Sequence, residues 1–197
     1  MQLINAARGD RFEALYTLAL LTGMREGELL GLAWECVDLE AATLRVERSL
    51  AYIPKHGLVF GSPKSESSRR VLPLAPMAVA ALKAHRERQE KEQDLQRKRW
   101  QEHGLVFPNT LGKPQDPTNF VMQRFRPLLK KAKLPQIRFH DLRHSTGSLL
   151  TALGVHHRVT QEILGHSSYV VTMGTYSHVA QPSQVEALNS LAQRLGG

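Results

Sequence analysis

Apolar residues near the start of the chain recur at the spacing of an α-helix. Between residues 10 and 22 they lie three and four positions apart, and a glycine follows directly. These residues are Phe12, Leu15, Tyr16 and Ala19. The pattern predicts an amphipathic helix that ends at Gly23, followed by a second short helix from Arg25 to about Leu32.

The period of the pattern changes after the second helix. Leu44 and Val46 alternate with charged neighbours, and short apolar runs at 58–60 and 71–72 are bounded by glycine, proline and serine. We therefore expect a small antiparallel sheet of three strands from this region. A polar segment with several cations, residues 61–70, then joins the second strand to the third.

The rest of the chain is predicted to be helical. Helices are expected over roughly 77–100, after the capping pair at 116–117, over about 140–153 and over 182–195. Together these elements predict a mainly α chain with a small three-stranded antiparallel β-sheet, in the α+β class. The length of 197 residues fits a single domain with one buried core.

Charge and hydropathy narrow the possible partners. The formal net charge is +8 and the pI is near 9.9, which favours a polyanionic partner, either nucleic acid or an anionic membrane surface. No apolar run reaches the length of a membrane span, and no signal-peptide pattern opens the chain. The single cysteine, Cys36, excludes an internal disulfide and fits a reducing compartment.

The residues with the most informative chemistry lie in the stretch 136–179. It contains His140, Arg143 three positions later, His166 after a Leu-Gly pair, and Tyr176 ten positions further on. The Leu-Gly pair predicts the end of a helix, with Gly165 in the left-handed capping position. A guanidinium grips phosphate oxygens, an imidazole moves protons near neutral pH, and a phenol can form a covalent ester. These groups in one stretch indicate phosphoryl transfer.

Two residues have alternative interpretations. His144 follows His140 by four positions, a spacing that suits zinc on a helix, but the glutamate of a His-Glu-x-x-His site and a third ligand are missing. We therefore predict a structural role for His144. Arg25 is either a phosphate ligand or an exposed arginine paired with Glu28 three positions later.

Short motifs occur in a fixed order along nearly the whole chain. They are TGMREGELLGL at 22–32, SPK at 62–64, RRVLPL at 69–74, HDLRH at 140–144, LGHSS at 164–168 and TYSHV at 175–179. Each motif alone is a weak signal, whereas the complete set in this order and spacing is a strong one. With this set the chain resembles the catalytic half of the tyrosine recombinase (phage integrase) family.

The resemblance implies a DNA strand transferase that forms a 3′-phosphotyrosyl intermediate. The implied catalytic residues are Arg25, Lys64, His140, Arg143, His166 and the nucleophile Tyr176, with Glu28 as the orienting partner of Arg25. In this scheme Arg25, Arg143 and His166 neutralise the phosphate oxygens. His140 is the base and Lys64 the proton donor to the leaving 5′-oxygen. No metal and no cofactor are required.

Further basic residues are candidates for contact with the DNA backbone. They are Arg69, Arg70, Arg124, Lys130 and Lys131. The composition of residues 61–70 does not distinguish Lys64 from Arg69 and Arg70, and only the resemblance selects Lys64. For the helix that follows residue 117, ordinary solubilising charge explains the cations equally well.

The resemblance also carries expectations about the assembly. It implies double-stranded DNA as partner, a homo-tetramer on DNA, no membrane contact, and a cytoplasmic, nucleoid-associated protein of a bacterium or phage. Residues 1–197 are expected to form a single catalytic domain without the family's amino-terminal core-binding domain. The carboxy-terminal helix within 182–197 either covers the core or docks on a neighbouring protomer. The alternatives are a non-catalytic DNA-binding remnant and a type IB topoisomerase-like strand transferase.

Overall fold

Helices form most of the computed structural model, which describes residues 2–61, 69–165 and 180–196. The helices are α1 (Gln2–Ala7), α2 (Glu13–Thr22), α3 (Glu26–Leu30), α4 (Pro76–Gln96), α5 (Pro117–Phe120), α6 (Arg126–Lys131), α7 (Asp141–Ala152), α8 (His157–Leu164) and α9 (Ala180–Gly196). A π-helical turn, Val121–Phe125, joins α5 to α6. No helix within these described ranges is long and apolar enough to cross a lipid bilayer.

Short strands lie between α3 and α4. β1 (Val37–Asp38), β2 (Thr43–Val46) and β5 (Arg70–Pro73) form a three-stranded antiparallel sheet. β3 (Ser49–Ile53) and β4 (Gly57–Gly61) form a separate antiparallel hairpin. The predicted fold class, mainly α with a small three-stranded antiparallel sheet, is therefore confirmed.

The membership of the three-stranded sheet differs from the prediction. The apolar run 58–60 belongs to β4 and pairs with β3, while β1 supplies the third strand of the sheet. A hairpin partner lies only a few residues away along the chain, and consecutive strands tend to be neighbours in space. An apolar run identifies a strand but does not identify its partner, and this is why the prediction of the pairing was wrong.

Aromatic side chains join the helical segment 117–131 to α2 and to the residues before α7. The ring centroid of Phe120 lies 5.2 Å from that of Phe12 and 5.6 Å from that of Phe139. Phe125 lies 5.1 Å from Phe139, and these pairs all have the edge-to-face geometry that aromatic quadrupoles favour. Because Phe139 directly precedes His140, this cluster fixes the point at which α7 begins.

Polar contacts and a glycine hold α7 and α8 against the carboxyl end of α2. The fully buried Thr146 places its Oγ1 2.9 Å from the carbonyl oxygen of Leu20. α2 ends at Gly23, whose φ of 61° is in the left-handed region that favours glycine. A Cβ at this position would overlap Leu164 Cδ2 of α8. The glycine therefore serves both as helix cap and as the point of close approach between α2 and α8.

Candidate active site

Arg25 stands at the amino-terminal end of α3, next to a buried carboxylate. Its backbone N–H donates to Glu28 Oε2 at 2.9 Å, and its Nη1 donates to Glu28 Oε1 at 2.8 Å. The Glu28 side chain is only 3% exposed, whereas the Arg25 side chain is 36% exposed. The pair that the spacing predicted thus exists, but it consists of a buried acid that orients a partly accessible guanidinium.

Arg25 also reaches the end of α8. Its Nη2 donates to the carbonyl oxygen of Gly165 at 3.0 Å. Gly165 caps α8 in the left-handed conformation, with a φ of 64°, as the sequence predicted. Since His166 follows Gly165 directly in the chain, this hydrogen bond ties the motif at 22–32 to the motif at 164–168.

Arg143 is buried near the start of α7 and lacks a full set of partners. Its side chain donates through Nη1 to the carbonyl oxygen of Gly23 at 2.7 Å. Its Nη2 is also buried and has no hydrogen-bond acceptor among the described residues. A buried donor without a partner is unfavourable by roughly 1–3 kcal/mol. An anionic oxygen at this position would satisfy it.

The electrostatic surroundings of Arg143 also favour an anion. Burial first, and then the positive charges of Arg25 and Arg70, lower the pKa of Arg143 to about 10. Three guanidinium groups therefore lie close together, and Glu28 is the one carboxylate that compensates them in the described part of this site. The excess positive charge corresponds to about two elementary charges near neutral pH.

His140 and His144 lie one helical turn apart at the start of α7. Their ring centroids are 5.0 Å apart in an edge-to-face arrangement, and both residues are exposed. Partial removal from water first, and then the neighbouring His144 and the positive charge of Arg143, lower the pKa of His140. His140 is consequently neutral near pH 7 and able to accept a proton, as the base of a reaction must.

A cleft of about 540 Å³ opens beside these side chains, between α7 and the end of α8. Arg143, His144, Gly147 and Leu164 are among the residues that line it. Space for a phosphate group therefore adjoins the buried guanidinium of Arg143 and the exposed imidazole of His144.

Arg70, a candidate for contact with the DNA backbone, pairs with a buried carboxylate in this structure. The Arg70 side chain is 8% exposed and donates through Nη2 to Glu28 Oε2 at 2.9 Å. A phosphate contact at the surface requires accessible N–H donors, whereas these donors point into the protein. The alternation of β5 could have signalled this, because Arg70 shares a strand face with the buried Leu72.

The other candidates for contact with the DNA backbone are exposed. Arg69 lines a second cleft of about 590 Å³ beside Arg45 and Val71. Arg124 lies on the π-helical turn, and Lys130 and Lys131 lie on α6. Lys131 Nζ also donates to the carbonyl oxygen of Ala6 at 3.2 Å, which attaches α6 to α1.

Three of the predicted catalytic residues, Lys64, His166 and Tyr176, lie outside the described residues. The structure thus brings together Arg25, Glu28, Arg143 and His140 from the predicted set. It adds two backbone acceptors that motif spacing does not reveal, the carbonyl oxygens of Gly23 and Gly165. Within residues 2–61, 69–165 and 180–196, no group of three or more His, Cys, Asp or Glu side chains is arranged to hold a metal ion.

Glu26, directly after Arg25, is a carboxyl group whose charge is disfavoured by the fold. Its Oε1 is buried and accepts no hydrogen bond within the described ranges. Burial first, and then the negative charge of Asp116, raise the pKa of Glu26 from 4.5 to about 7. Between these two values the folded chain binds more protons here than the unfolded chain does, so the free energy of unfolding falls as pH rises through this window.

Replacing Glu26 by Gln should therefore stabilise the protein in a pH-dependent manner. We expect the free energy of unfolding to rise by about 1–2 kcal/mol at about pH 8, and by no more than about a third of that at about pH 5. Urea unfolding at both pH values measures the difference, with the exposed Glu87→Gln as control. An equal gain at both pH values would contradict the assignment of the effect to ionisation.

Comparison with known proteins identifies relatives over nearly the whole chain. The sequence model of the phage integrase family matches residues 1–182. A tyrosine recombinase XerC-like protein from Caldanaerobacter subterraneus subsp. tengcongensis is 33% identical over 203 residues, covering 94% of this chain and 50% of that protein. An integrase from Streptomyces ambofaciens is 37% identical over 189 residues, covering 91% of this chain and 47% of the relative. The chain thus spans about half the length of the relatives it matches.

Solved structures share the fold. The Tn1549 transposon integrase, in complex with transposon right end DNA, superposes with a TM-score of 0.73 at 22% identity, covering 99% of this chain and 63% of that one. XerA recombinase superposes with a TM-score of 0.64 at 24% identity, and the match covers 100% of this chain and 60% of the XerA chain. The motifs, the fold and the family match agree, and the chain belongs to the phage integrase family.

Proposed function

We propose that this chain is the catalytic domain of a site-specific DNA recombinase that cleaves and rejoins strands through a 3′-phosphotyrosyl intermediate. The observation that carries the proposal is the buried Nη2 of Arg143, which has no acceptor in the described structure. The positive charges of Arg25 and Arg70, close by, also leave the site without enough negative charge. A phosphate oxygen supplies both the missing acceptor and the missing negative charge.

The positive charge of the site is expected to stabilise the transition state of strand cleavage more than the bound phosphodiester. A phosphodiester carries one negative charge, and attack by an ionising phenol brings a second. The excess of about two positive charges around Arg143 matches this total, so electrostatic stabilisation increases as the reaction proceeds. Under the proposal the arginines supply the field for which many phosphoryl-transfer enzymes use Mg²⁺.

The proposed step is an in-line displacement at phosphorus. The Tyr176 oxygen forms a bond to phosphorus as the bond from phosphorus to the 5′-oxygen breaks. The phenolic proton passes to His140, and Lys64 gives a proton to the leaving 5′-oxygen. Arg25, Arg143 and His166 hold the non-bridging oxygens. A second strand's 5′-hydroxyl then reverses the reaction, so no nucleotide cofactor is consumed.

Double-stranded DNA is the proposed partner. The formal net charge of +8, together with exposed cations at Arg69, Arg124 and Lys130, supports binding to a polyanion. The solved structures that share the fold include a complex with DNA, that of the Tn1549 transposon integrase with transposon right end DNA. Residues 1–197 are proposed to be one catalytic domain that acts as a tetramer on DNA, in the bacterial cytoplasm.

Trapping of a covalent adduct tests the proposal. A pool of nicked duplexes with a randomised core is incubated with the chain, alone and with a relative's core-binding domain in trans. The protein is then denatured in SDS, and strands that remain attached are sequenced. Adducts joined through a 3′-phosphate to a recovered consensus are expected. DNA binding without adducts would instead favour a non-catalytic remnant, and relaxation of supercoils without recombinant products would favour a topoisomerase.

A further inference from the structure

Arg70 connects three elements that meet at the proposed site. It is the first residue of β5, and its guanidinium donates to Glu28 of α3 through Nη2 at 2.9 Å and through Nη1 at 3.3 Å. Its Nε donates to the carbonyl oxygen of Ile163 in the last turn of α8 at 3.1 Å. Such a planar fork can satisfy a carboxylate and a helix carbonyl at the same time, which a lysine cannot do.

The contact between Arg70 and α8 is close. A Cβ built on Gly165 would lie 2.8 Å from Arg70 Nη1 and 3.0 Å from Arg70 Cζ. The absence of a side chain at Gly165 therefore leaves room for the guanidinium. The carboxyl end of a helix also attracts positive charge, because its last carbonyl groups are unpaired.

Glu28 is shared between Arg70 and Arg25. Burial alone would raise the pKa of Glu28, but the hydrogen bond and charge of Arg70, and then the hydrogen bonds from Arg25, outweigh burial and lower it. The carboxylate is thus ionised, and two guanidinium groups contact it. Without Arg70, the single positive charge of Arg25 would be spent on neutralising Glu28.

We propose that Arg70 is a positioning residue for strand transfer, which neutralises the buried Glu28 carboxylate so that the charge of Arg25 remains available to the scissile phosphate. Arg70 itself does not contact the substrate. The inference rests on the proposed function and adds a residue to it. It also explains why an arginine with few exposed atoms lies within a cluster of like charges.

The first test is the rate of adduct formation by Arg70→Met, which keeps an apolar stem and removes the guanidinium. On the duplex recovered by covalent trapping, we expect the single-turnover rate to fall about 10- to 100-fold while the Kd for DNA changes less than about threefold. The single-turnover rate of Arg70→Lys should lie between those of the wild type and Arg70→Met, because lysine keeps the positive charge but loses the planar two-pronged donor.

Arg11 offers a matched control. It also forms a two-pronged pair with a glutamate, since Nη2 and Nε donate to Glu92 at 2.7 and 2.8 Å, but it joins α4 to the start of α2. Arg11→Met should lower the midpoint of urea unfolding without changing the single-turnover rate by more than about twofold. Equal losses of rate in Arg11→Met and Arg70→Met would show that Arg70 affects the rate only through the stability of the fold, and would contradict the proposal.

A double-mutant cycle with Arg25 tests the route by which Arg70 acts. In the Arg25→Ala background, loss of Arg70 should reduce the rate by less than about threefold, because the residue through which it acts is already gone. The same 10- to 100-fold loss in both backgrounds would overturn the inference.

A charge-removal variant keeps the inference testable where Arg70→Met folds poorly. Adding Glu28→Gln to Arg70→Met removes the buried negative charge that Arg25 would otherwise neutralise alone, and we expect the double variant to recover at least about fivefold of the lost rate. No recovery in a folded double variant would contradict the proposal. Failure of the wild-type chain to form any adduct would instead count against the proposed function, so the two failures are distinguishable.

Discussion

Replacing Tyr176 by Phe is expected to abolish the covalent adduct completely while the Kd for DNA changes less than about twofold. The substitution removes one oxygen atom, the atom that forms the bond to phosphorus, and keeps the aromatic ring. No other group supplies a phenol to the same phosphate under this account. The measurement is the yield of SDS-resistant protein–DNA complex on the recovered duplex, with binding followed separately by fluorescence anisotropy.

Tyr169 is the natural control, because it lies seven positions before Tyr176 in the same stretch. Tyr169→Phe should form the adduct at a yield within about twofold of wild type. Of the remaining tyrosines, Tyr16 is fully buried and Tyr52 lies on the β3–β4 hairpin, so neither competes. An undiminished adduct in Tyr176→Phe would contradict the assignment of the nucleophile.

Replacing Arg143 by Ala should lower the single-turnover rate of adduct formation on the order of 10²–10³-fold. The buried Nη2 is the donor that the proposed mechanism directs at a non-bridging oxygen. Its removal takes away both a preorganised hydrogen bond and a positive charge from a water-poor site. The rate is measured on the recovered nicked duplex at saturating protein, so that weaker DNA binding does not contribute to the difference.

Arg138 provides the comparison for this prediction. It is five positions earlier, its side chain is 78% exposed, and it pairs with Asp141 at 2.8 Å. Arg138→Ala should change the rate less than about fivefold, since an exposed, paired charge acts only through a screened field. Urea unfolding of both variants separates loss of chemistry from loss of fold, because Arg143 also donates to Gly23. A rate in folded Arg143→Ala within tenfold of wild type would contradict the role given to Nη2.

Local sequence signals predicted much of the fold. The left-handed glycine caps at Gly23 and Gly165 and the capping pair Asp116–Pro117 all lie where the pattern placed them. These features depend on neighbours a few residues apart, so a short window of sequence contains their physical cause. The pairing of β4 was not predicted correctly, because an apolar run identifies a strand without identifying its partner.

In the candidate active site, contacts between residues near in sequence could be predicted, whereas contacts between distant segments could not. The pairing of Arg25 with Glu28 follows from an i, i+3 spacing, and the structure contains it. The burial of Arg70 against Glu28 and Ile163 depends on how β5 meets α3 and α8, across separations of 42 and 93 residues. From composition alone, Arg70 could not be distinguished from the other cations of residues 61–70. The alternation with Leu72 is the one sequence signal that could have indicated an inward-facing side chain.

In the proposed mechanism, Arg25 and Arg143 act on one phosphate. A nicked duplex of the recovered sequence with a neutral methylphosphonate at the scissile position tests this arrangement, because one charged oxygen is replaced by a methyl group. On the native phosphate we expect Arg25→Ala, like Arg143→Ala, to lose rate on the order of 10²–10³-fold. We predict that both deficits shrink to about tenfold or less on the methylphosphonate. If either variant keeps its full deficit on the neutral linkage, that arginine does not neutralise the scissile phosphate, and the account is contradicted.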